Sequence, residues 1–263
     1  MKITTIVPDR PEVFVVAIGD VHGMEGLLDC VLAQVALESI RLKCQPIFVF
    51  LGDLIDRGPR SCEVMCAVAS TLEQFSGSTL VLGNHDEWLL KFLRTDISQS
   101  EFEAWLANGG DKTLKSYVGD FRADFDVIHD IATEINSRFP KHILMLSTAS
   151  DIVVFGDYAF VHAGIRPGLP LPLQQVRDLR WIRHEFLSSS EDHSHIVVHG
   201  HTITEGYEPE WYSNRIALDT GAANRGRLSF GLFLSQGLLG LFQCHAASGG
   251  KYRLWSFPFN RLA

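Results

Sequence analysis

Three times in the first ninety residues an apolar run stops at a glycine, and polar residues follow at once. EVFVVAI precedes Gly19-Asp20, IFVFL precedes Gly52-Asp53, and TLVL precedes Gly83-Asn84-His85. Uninterrupted runs of four to seven mostly β-branched and aromatic residues read as buried strands. The first two are followed by helical patterns, Met24 to Lys43 and Ser61 to Phe75. Strands that alternate with helices predict an α/β chain with parallel neighbours, and ligands of such sheets bind beyond the carboxyl ends of the strands. Glycine at those turns lets the backbone bend sharply and approach an ion or a phosphate closely. The pattern therefore predicts one site assembled from separate loops.

Between Trp88 and about Ser150 the pattern changes. SEFEAWLANGG, DKTLKSYVG and RADFDVIHDIATEINSRFP read as several helices, with Gly109-Gly110 as a break and Pro140 as a stop. Strands return at IVVF (152–155), YAFVHAG (158–164), HIVVHGH (195–201) and RIALDTG (215–221). The tail, LSFGLFLSQGLLGLFQCH and KYRLWSFP, reads as a closing antiparallel meander. The expectation is a single domain over 1–263 with a helical, cap-like insertion at about 88–150.

Composition excludes some classes. A formal charge of −8 and a pI near 5.7 argue against a nucleic-acid scaffold, which normally presents a basic face. No apolar stretch approaches the ~20 residues of a spanning helix, so no membrane is expected. The opening MKITTIVPDRPEVF does not read as a signal peptide. The five cysteines (Cys30, Cys44, Cys62, Cys66 and Cys244) are odd in number and scattered, which fits free thiols in a reducing compartment. A cytoplasmic protein is expected.

Asp20, His22, Asp53, Asn84, His162 and His201 all fall at the ends of the proposed strands. Such N and O donors suit Mn, Fe or Zn better than Ca or a thiolate site. A carboxylate such as Asp53 can bridge two cations ~3.5–4 Å apart, and such pairs turn bound water into a nucleophile near neutral pH. Attack on phosphorus would then need no protein nucleophile.

Five motifs occur in order from Gly19 to Thr202: GDVHG (19–23), GDLIDRG (52–58), GNHDE (83–87), HAG (162–164) and GHT (200–202). They resemble those of the phosphoprotein phosphatase family of calcineurin-like metallophosphoesterases. The resemblance implies a four-layer α-β-β-α fold, a β-sandwich flanked by helices, with two divalent ions, manganese foremost and iron or zinc as alternatives. Asp20, His22 and Asp53 would hold the first ion, and Asp53, Asn84, His162 and His201 the second. It further implies that His85 is the general acid, Asp56 its orienting carboxylate and Arg57 a phosphate clamp. Arg183, in RWIRHEF, resembles a second clamp through a shorter, looser motif in which Arg180 and Arg183 also read as solvated helix residues. Asp86 stands where the family more often has glutamate, in a structural carboxylate role.

Other positions stay open. The wider superfamily often uses two histidines at the spacing of His199 and His201, but GHT favours His201 as ligand and His199 as a group behind it or on the substrate side. Asp219, in LDTGA, either backs the site or belongs to a turn. Trp88, Trp105, Trp181 and Phe186 read as packing or as the lining of a groove. The expected activity is hydrolysis of phosphomonoesters, foremost as a bacterial-type serine/threonine protein phosphatase acting on a phosphoprotein or phosphopeptide. The alternatives are a symmetrical bis(5'-nucleosyl)-tetraphosphatase acting on a dinucleoside polyphosphate, or a non-catalytic metal- or phosphoprotein-binding module. Asp56 favours the first, because the family's symmetrical tetraphosphatases generally carry a small residue there and a serine alkoxide needs more help to leave than a nucleotide phosphate. The presence of every ligand and of the acid weighs against the non-catalytic reading.

Overall fold

The computed structural model describes residues 1–7, 13–122, 124–235 and 237–257. Glu12, Ala123, Gln236 and Pro258, which the sequence reading places in a strand, a helical segment and the closing meander, lie outside the described residues.

The chain runs β1 (Ile3–Thr5), β2 (Val13–Ile18), α1 (Glu25–Leu42), β3 (Gln45–Phe50), α2 (Ser61–Gln74) and β4 (Thr79–Leu80). Five helices follow: α3 (Asn84–Leu93), α4 (Gln99–Trp105), α5 (Asp111–Val118), α6 (Ile128–Arg138) and α7 (Pro140–Thr148). Then come β5 (Ile152–Phe155), β6 (Tyr158–Phe160), α8 (Val176–Trp181), α9 (His184–Leu187), β7 (Ile196–His199), β8 (Glu210–Trp211) and β9 (Arg215–Ala217). α10 (Ala222–Arg225) leads into β10 (Arg227–Leu234), β11 (Gly237–Ala247) and β12 (Lys251–Phe257).

Among the described residues these strands form two six-stranded sheets, ordered β12-β11-β10-β2-β3-β4 and β1-β5-β6-β7-β9-β8. In the first, β2, β3 and β4 are parallel neighbours and the tail is the expected antiparallel meander. In the second, β6, β7 and β9 are parallel neighbours. Side chains of a strand alternate between its two faces, and here both faces are covered. Phe14, Val16, Ile18, Phe48 and Phe50 pack among the helices, while Val15, Ala17, Ile47 and Val49 meet Val153, Phe160, Val198 and Phe233 between the sheets. Ile152, Ala159, Val161 and Val197 cover the far face together with Leu179, Ile182 and Phe186. The result is four layers, α-β-β-α. Each fully buried Phe of this core contributes ~1.5–3 kcal/mol by leaving water.

The structure departs from the sequence reading in particular places. The helical run begins at Asn84 rather than about residue 88, because Asp86 turns back to accept from the Gly83 N–H at 3.1 Å and starts α3 directly after the glycine. The break expected at Gly109-Gly110 is present as a kink, with Gly109 at φ 106° in the wide turn (Leu106–Gly110) that joins α4 to α5. Pro140 both ends α6 and opens α7, at a position where its missing N–H is harmless. These helices pack on one another and, through α5 and α7, on α2, and their buried residues join the cluster that covers the outer face of the first sheet. β1, not anticipated, extends the second sheet beside β5. Among the described residues no helix is long and apolar enough to cross a membrane.

Candidate metal centre

Six loops leave the carboxyl ends of the two parallel triplets, and the polar residues singled out by sequence sit on them. Asp20 and His22 follow β2, Asp53 follows β3, and Asn84 and His85 open the helix after β4. His162 follows β6, His201 follows β7 and Asp219 follows β9. The glycines explain how the loops come so close. A Cβ on Gly52, which has φ 94°, would meet the Gly83 nitrogen at 2.5 Å, and one on Gly200 would overlap the Asp20 carboxylate. His22, Asp53, Asp56, Arg57 and His201 themselves adopt positive φ, between 46° and 72°. Non-glycine residues seldom accept that geometry, at ~1–3 kcal/mol each, and do so mainly where the surroundings over-determine it.

Asp53 lies at the middle. One ligand atom each from His22, Asp53 and His85 lie within 4.8 Å of one another, and so do one each from Asp53, His162 and His201. The two groups share the Asp53 carboxylate, which is 2% exposed. His162 Nε2 is 3.0 Å from Asn84 Oδ1 and 3.4 Å from Asp53 Oδ1, and its Nδ1 is held by the Leu51 carbonyl at 2.8 Å. Asp20 is drawn instead toward the His201 N–H, at 3.0 Å through Oδ2. The Asp53 loop is anchored by Asp86, which accepts from the amides of Asp53 (2.7 Å), Leu54 (3.0 Å) and Gly83 (3.1 Å). The structural role foreseen for Asp86 is thus visible as three hydrogen bonds.

The hydrogen bonds also fix tautomers. His22 Nδ1–H donates to the Ile55 carbonyl at 2.7 Å and His85 Nδ1–H to Asp56 Oδ2 at 2.5 Å. Both Nε2 lone pairs then accept from Arg57, at 2.5 Å for His22 and 2.9 Å for His85. Arg57 so spans the imidazoles of the first group. Asp56 is fully buried and receives further donors from Trp105 Nε1 (2.9 Å) and Thr113 Oγ1 (2.6 Å). Sequence reasoning placed Trp105 in packing or a groove lining and did not single out Thr113. The nearest signal in the sequence is WLANGG, whose glycine break is the turn that carries both residues to Asp56.

The two arginines left open by sequence separate cleanly. Arg180 is braced by Glu87 at 2.7 Å and Asp151 at 2.6 Å. Arg183 is exposed and touches Thr202 Oγ1 at 3.0 Å, beside His201. Trp181 stands edge-on to Trp88 (5.4 Å between centroids) and near His201 (6.1 Å), and Trp88 packs edge-on to His85 (5.3 Å). His199 is buried on the Phe186 ring with Nε2 unpartnered.

The electrostatics call for cations. Burial, reinforced by Asp219, pushes Asp20 well above the carboxylate range, and burial together with nearby Asp53 takes Asp219 to about 6. Burial also pushes Asp53 up, but His162, His85 and His22 hold it well below the usual range. Burial depresses His162, yet Asp53 reverses this and carries it to about 9. A proton is thus stabilised on Nε2 between two oxygen acceptors, where a metal ion would be equally welcome. Burial takes His22 to about 3 and His201 to about 2, so both stay neutral, the form that ligates. His201 Nε2 is buried with no hydrogen-bond partner among the described residues. Orphaned imidazole nitrogens, a shared carboxylate and an amide oxygen fit divalent N/O-binding ions.

Comparisons with known proteins agree with this geometry. A family model described as calcineurin-like phosphoesterase matches residues 15–226. The chain is 25% identical over 221 residues to serine/threonine-protein phosphatase 2 of Escherichia coli (strain K12), covering 81% of this chain and 89% of that protein. It is 26% identical over 233 residues to the asymmetrical bis(5'-nucleosyl)-tetraphosphatase PrpE of Anoxybacillus flavithermus, covering 81% and 87%. Among solved structures, one provisionally named a diadenosine tetraphosphatase superposes with a TM-score of 0.58 at 20% identity, over 97% of each chain.

Proposed function

The chain belongs to the calcineurin-like phosphoesterase family, and within that family of hydrolases we propose that it is a dinuclear, manganese-preferring serine/threonine protein phosphatase. Asp20, His22 and Asp53 would hold one ion, and Asp53, Asn84, His162 and His201 the other, with iron or zinc as alternative metals. Such a pair, when bound, acidifies water and draws charge from the phosphoryl oxygens. Arg57 and Arg183 would supply guanidinium donors for those oxygens, the first from the loop after β3 and the second from the segment between β6 and β7. With Arg57 turned to the phosphate, His85 Nε2 is free to take up a proton and would pass it to the departing oxygen, while Asp56 holds its ring in place.

The observation that carries the choice of substrate is the 2.5 Å bond between His85 Nδ1 and the buried Asp56. A serine or threonine alkoxide leaves poorly unless it is protonated, whereas a nucleotide phosphate leaves readily. An oriented acid is therefore worth most, ~10²–10⁴ in rate, on a phosphoprotein. The cysteines are free thiols, which supports a cytoplasmic setting for that substrate. The test is kcat/KM on a phosphoserine peptide and on diadenosine tetraphosphate, each with Mn²⁺ supplied. The peptide is expected to be the better substrate by tenfold or so; a preference of that size for the tetraphosphate would overturn the assignment.

A further inference from the structure

Beyond α3, which carries Asn84 and His85, the helical segment between β4 and β5 reaches the site through the α4–α5 turn. Trp105, the last residue of α4, and Thr113, in the first turn of α5, flank the wide turn at Leu106–Gly110. Both are fully buried, and both point their donors at Asp56. Trp105 Nε1–H lies 2.9 Å from Oδ2 and 3.1 Å from Oδ1, and Thr113 Oγ1–H lies 2.6 Å from Oδ1. The same threonine oxygen accepts from the Asp56 N–H at 2.9 Å. Between them the Gly109 carbonyl accepts from the Arg57 N–H at 3.4 Å. The contact depends on glycine twice. A Cβ on Gly109 would fall 2.6 Å from the Arg57 nitrogen, and one on Gly110 would fall 2.6 Å from the Trp105 ring.

We propose that Trp105 and Thr113 are positioning residues for leaving-group protonation, acting through Asp56 on His85. Asp56 is fully buried. Its two oxygens are turned by three donors, and only one of these is His85. A buried carboxylate with two fixed donors keeps its remaining lone pair aimed at His85 Nδ1, and that aim directs the opposite nitrogen toward the substrate side. Without the threonine hydroxyl, Oδ1 loses its shortest contact and the carboxylate is free to turn about Cβ–Cγ. The inference rests on His85 being the acid. It gives the helical segment a part in the chemistry beyond packing.

The test uses the manganese-loaded full chain and two phosphate esters of one shape, phenyl phosphate and p-nitrophenyl phosphate, whose leaving groups need protonation to very different degrees. Thr113→Val keeps the shape and removes the hydroxyl. It is expected to lower kcat on phenyl phosphate by about tenfold or more, with KM unchanged and with p-nitrophenyl phosphate slowed less than about threefold. Trp105→Phe should show the same selectivity, and Thr113→Ser should restore the rate on phenyl phosphate. His85→Asn is measured alongside. Equal loss on both esters, an unchanged rate on phenyl phosphate, or a serine variant no better than valine would overturn the positioning role, provided His85→Asn shows the selectivity. Absence of selectivity in His85→Asn itself would instead remove the acid assignment on which the inference stands.

Discussion

The two parallel triplets that face each other across the sandwich supply the same kinds of side chain but are finished differently. On the β2-β3-β4 side nearly every polar atom is engaged: Asp86 ties three amides, His22 and His85 each hold an acceptor through Nδ1, and Arg57 spans both rings. On the β6-β7-β9 side His201 Nε2 and His199 Nε2 are buried without a hydrogen-bond partner among the described residues, and Arg183 is exposed and touches Thr202. Buried polar atoms are normally satisfied, so an orphan needs an explanation. Here the first half fills its hydrogen bonds from its own side chains, whereas the second presents open nitrogens, and both carry residues that would hold an ion.

The most damaging break in this arrangement is at Asp53, which belongs to both halves. Asp53→Asn is expected to strip or scramble the metal and to lower kcat/KM by about 10³ or more; normal metal occupancy, read by elemental analysis, would deny it the bridging place. His85→Asn comes next, with metal content intact and kcat on a phosphoserine peptide down ~10²–10⁴. Unchanged turnover on that peptide would show that the first half does not contain the acid.

The comparison itself is sharpened by stability measurements without metal. Asp86→Ala strands three buried amides, and each costs about 1–3 kcal/mol, so the midpoint of denaturant unfolding should fall markedly. His201→Asn removes an atom that bonds to nothing, so metal-free stability should change by less than about 1 kcal/mol. The same variant should lose most of the stabilisation that Mn²⁺ gives the wild type, which is about 2.7 kcal/mol at a hundred times Kd. If the two variants behave alike in denaturant, the contrast between the halves is wrong. The smallest effect is expected at Arg183, where Arg183→Ala raises KM about tenfold with little change in kcat, as for losing one exposed charged hydrogen bond.

Much of this was legible because it is local. The strands announced themselves as apolar runs, and each glycine turn lay next to the polar residue it exposes, so Asp20, Asp53 and Asn84 could be read in sequence order. What was missed is non-local or short. β1 is three residues long and gains its identity only from pairing with β5. Thr113 lies 57 residues from Asp56, and nothing in DKTLKSYV distinguishes its threonine from a surface one. Trp105 reads from sequence as packing or a groove lining, and its ring does pack on Phe92 and Phe102, while its N–H donates to Asp56. Arg180 and Arg183 share one short segment, and only the positions of Glu87, Asp151 and Thr202 tell them apart.

The left-handed residues in the centre have a consequence for any attempt to diversify it. His22, Asp53, Asp56, Arg57 and His201 are screened first by the shape of the main chain and only then by what their side chains can do. Glycine or asparagine would enter such positions with little resistance and valine or isoleucine hardly at all, irrespective of chemistry. A random library at these five codons would therefore be thinned before any assay for hydrolysis began, and its survivors would report on backbone geometry as much as on catalysis.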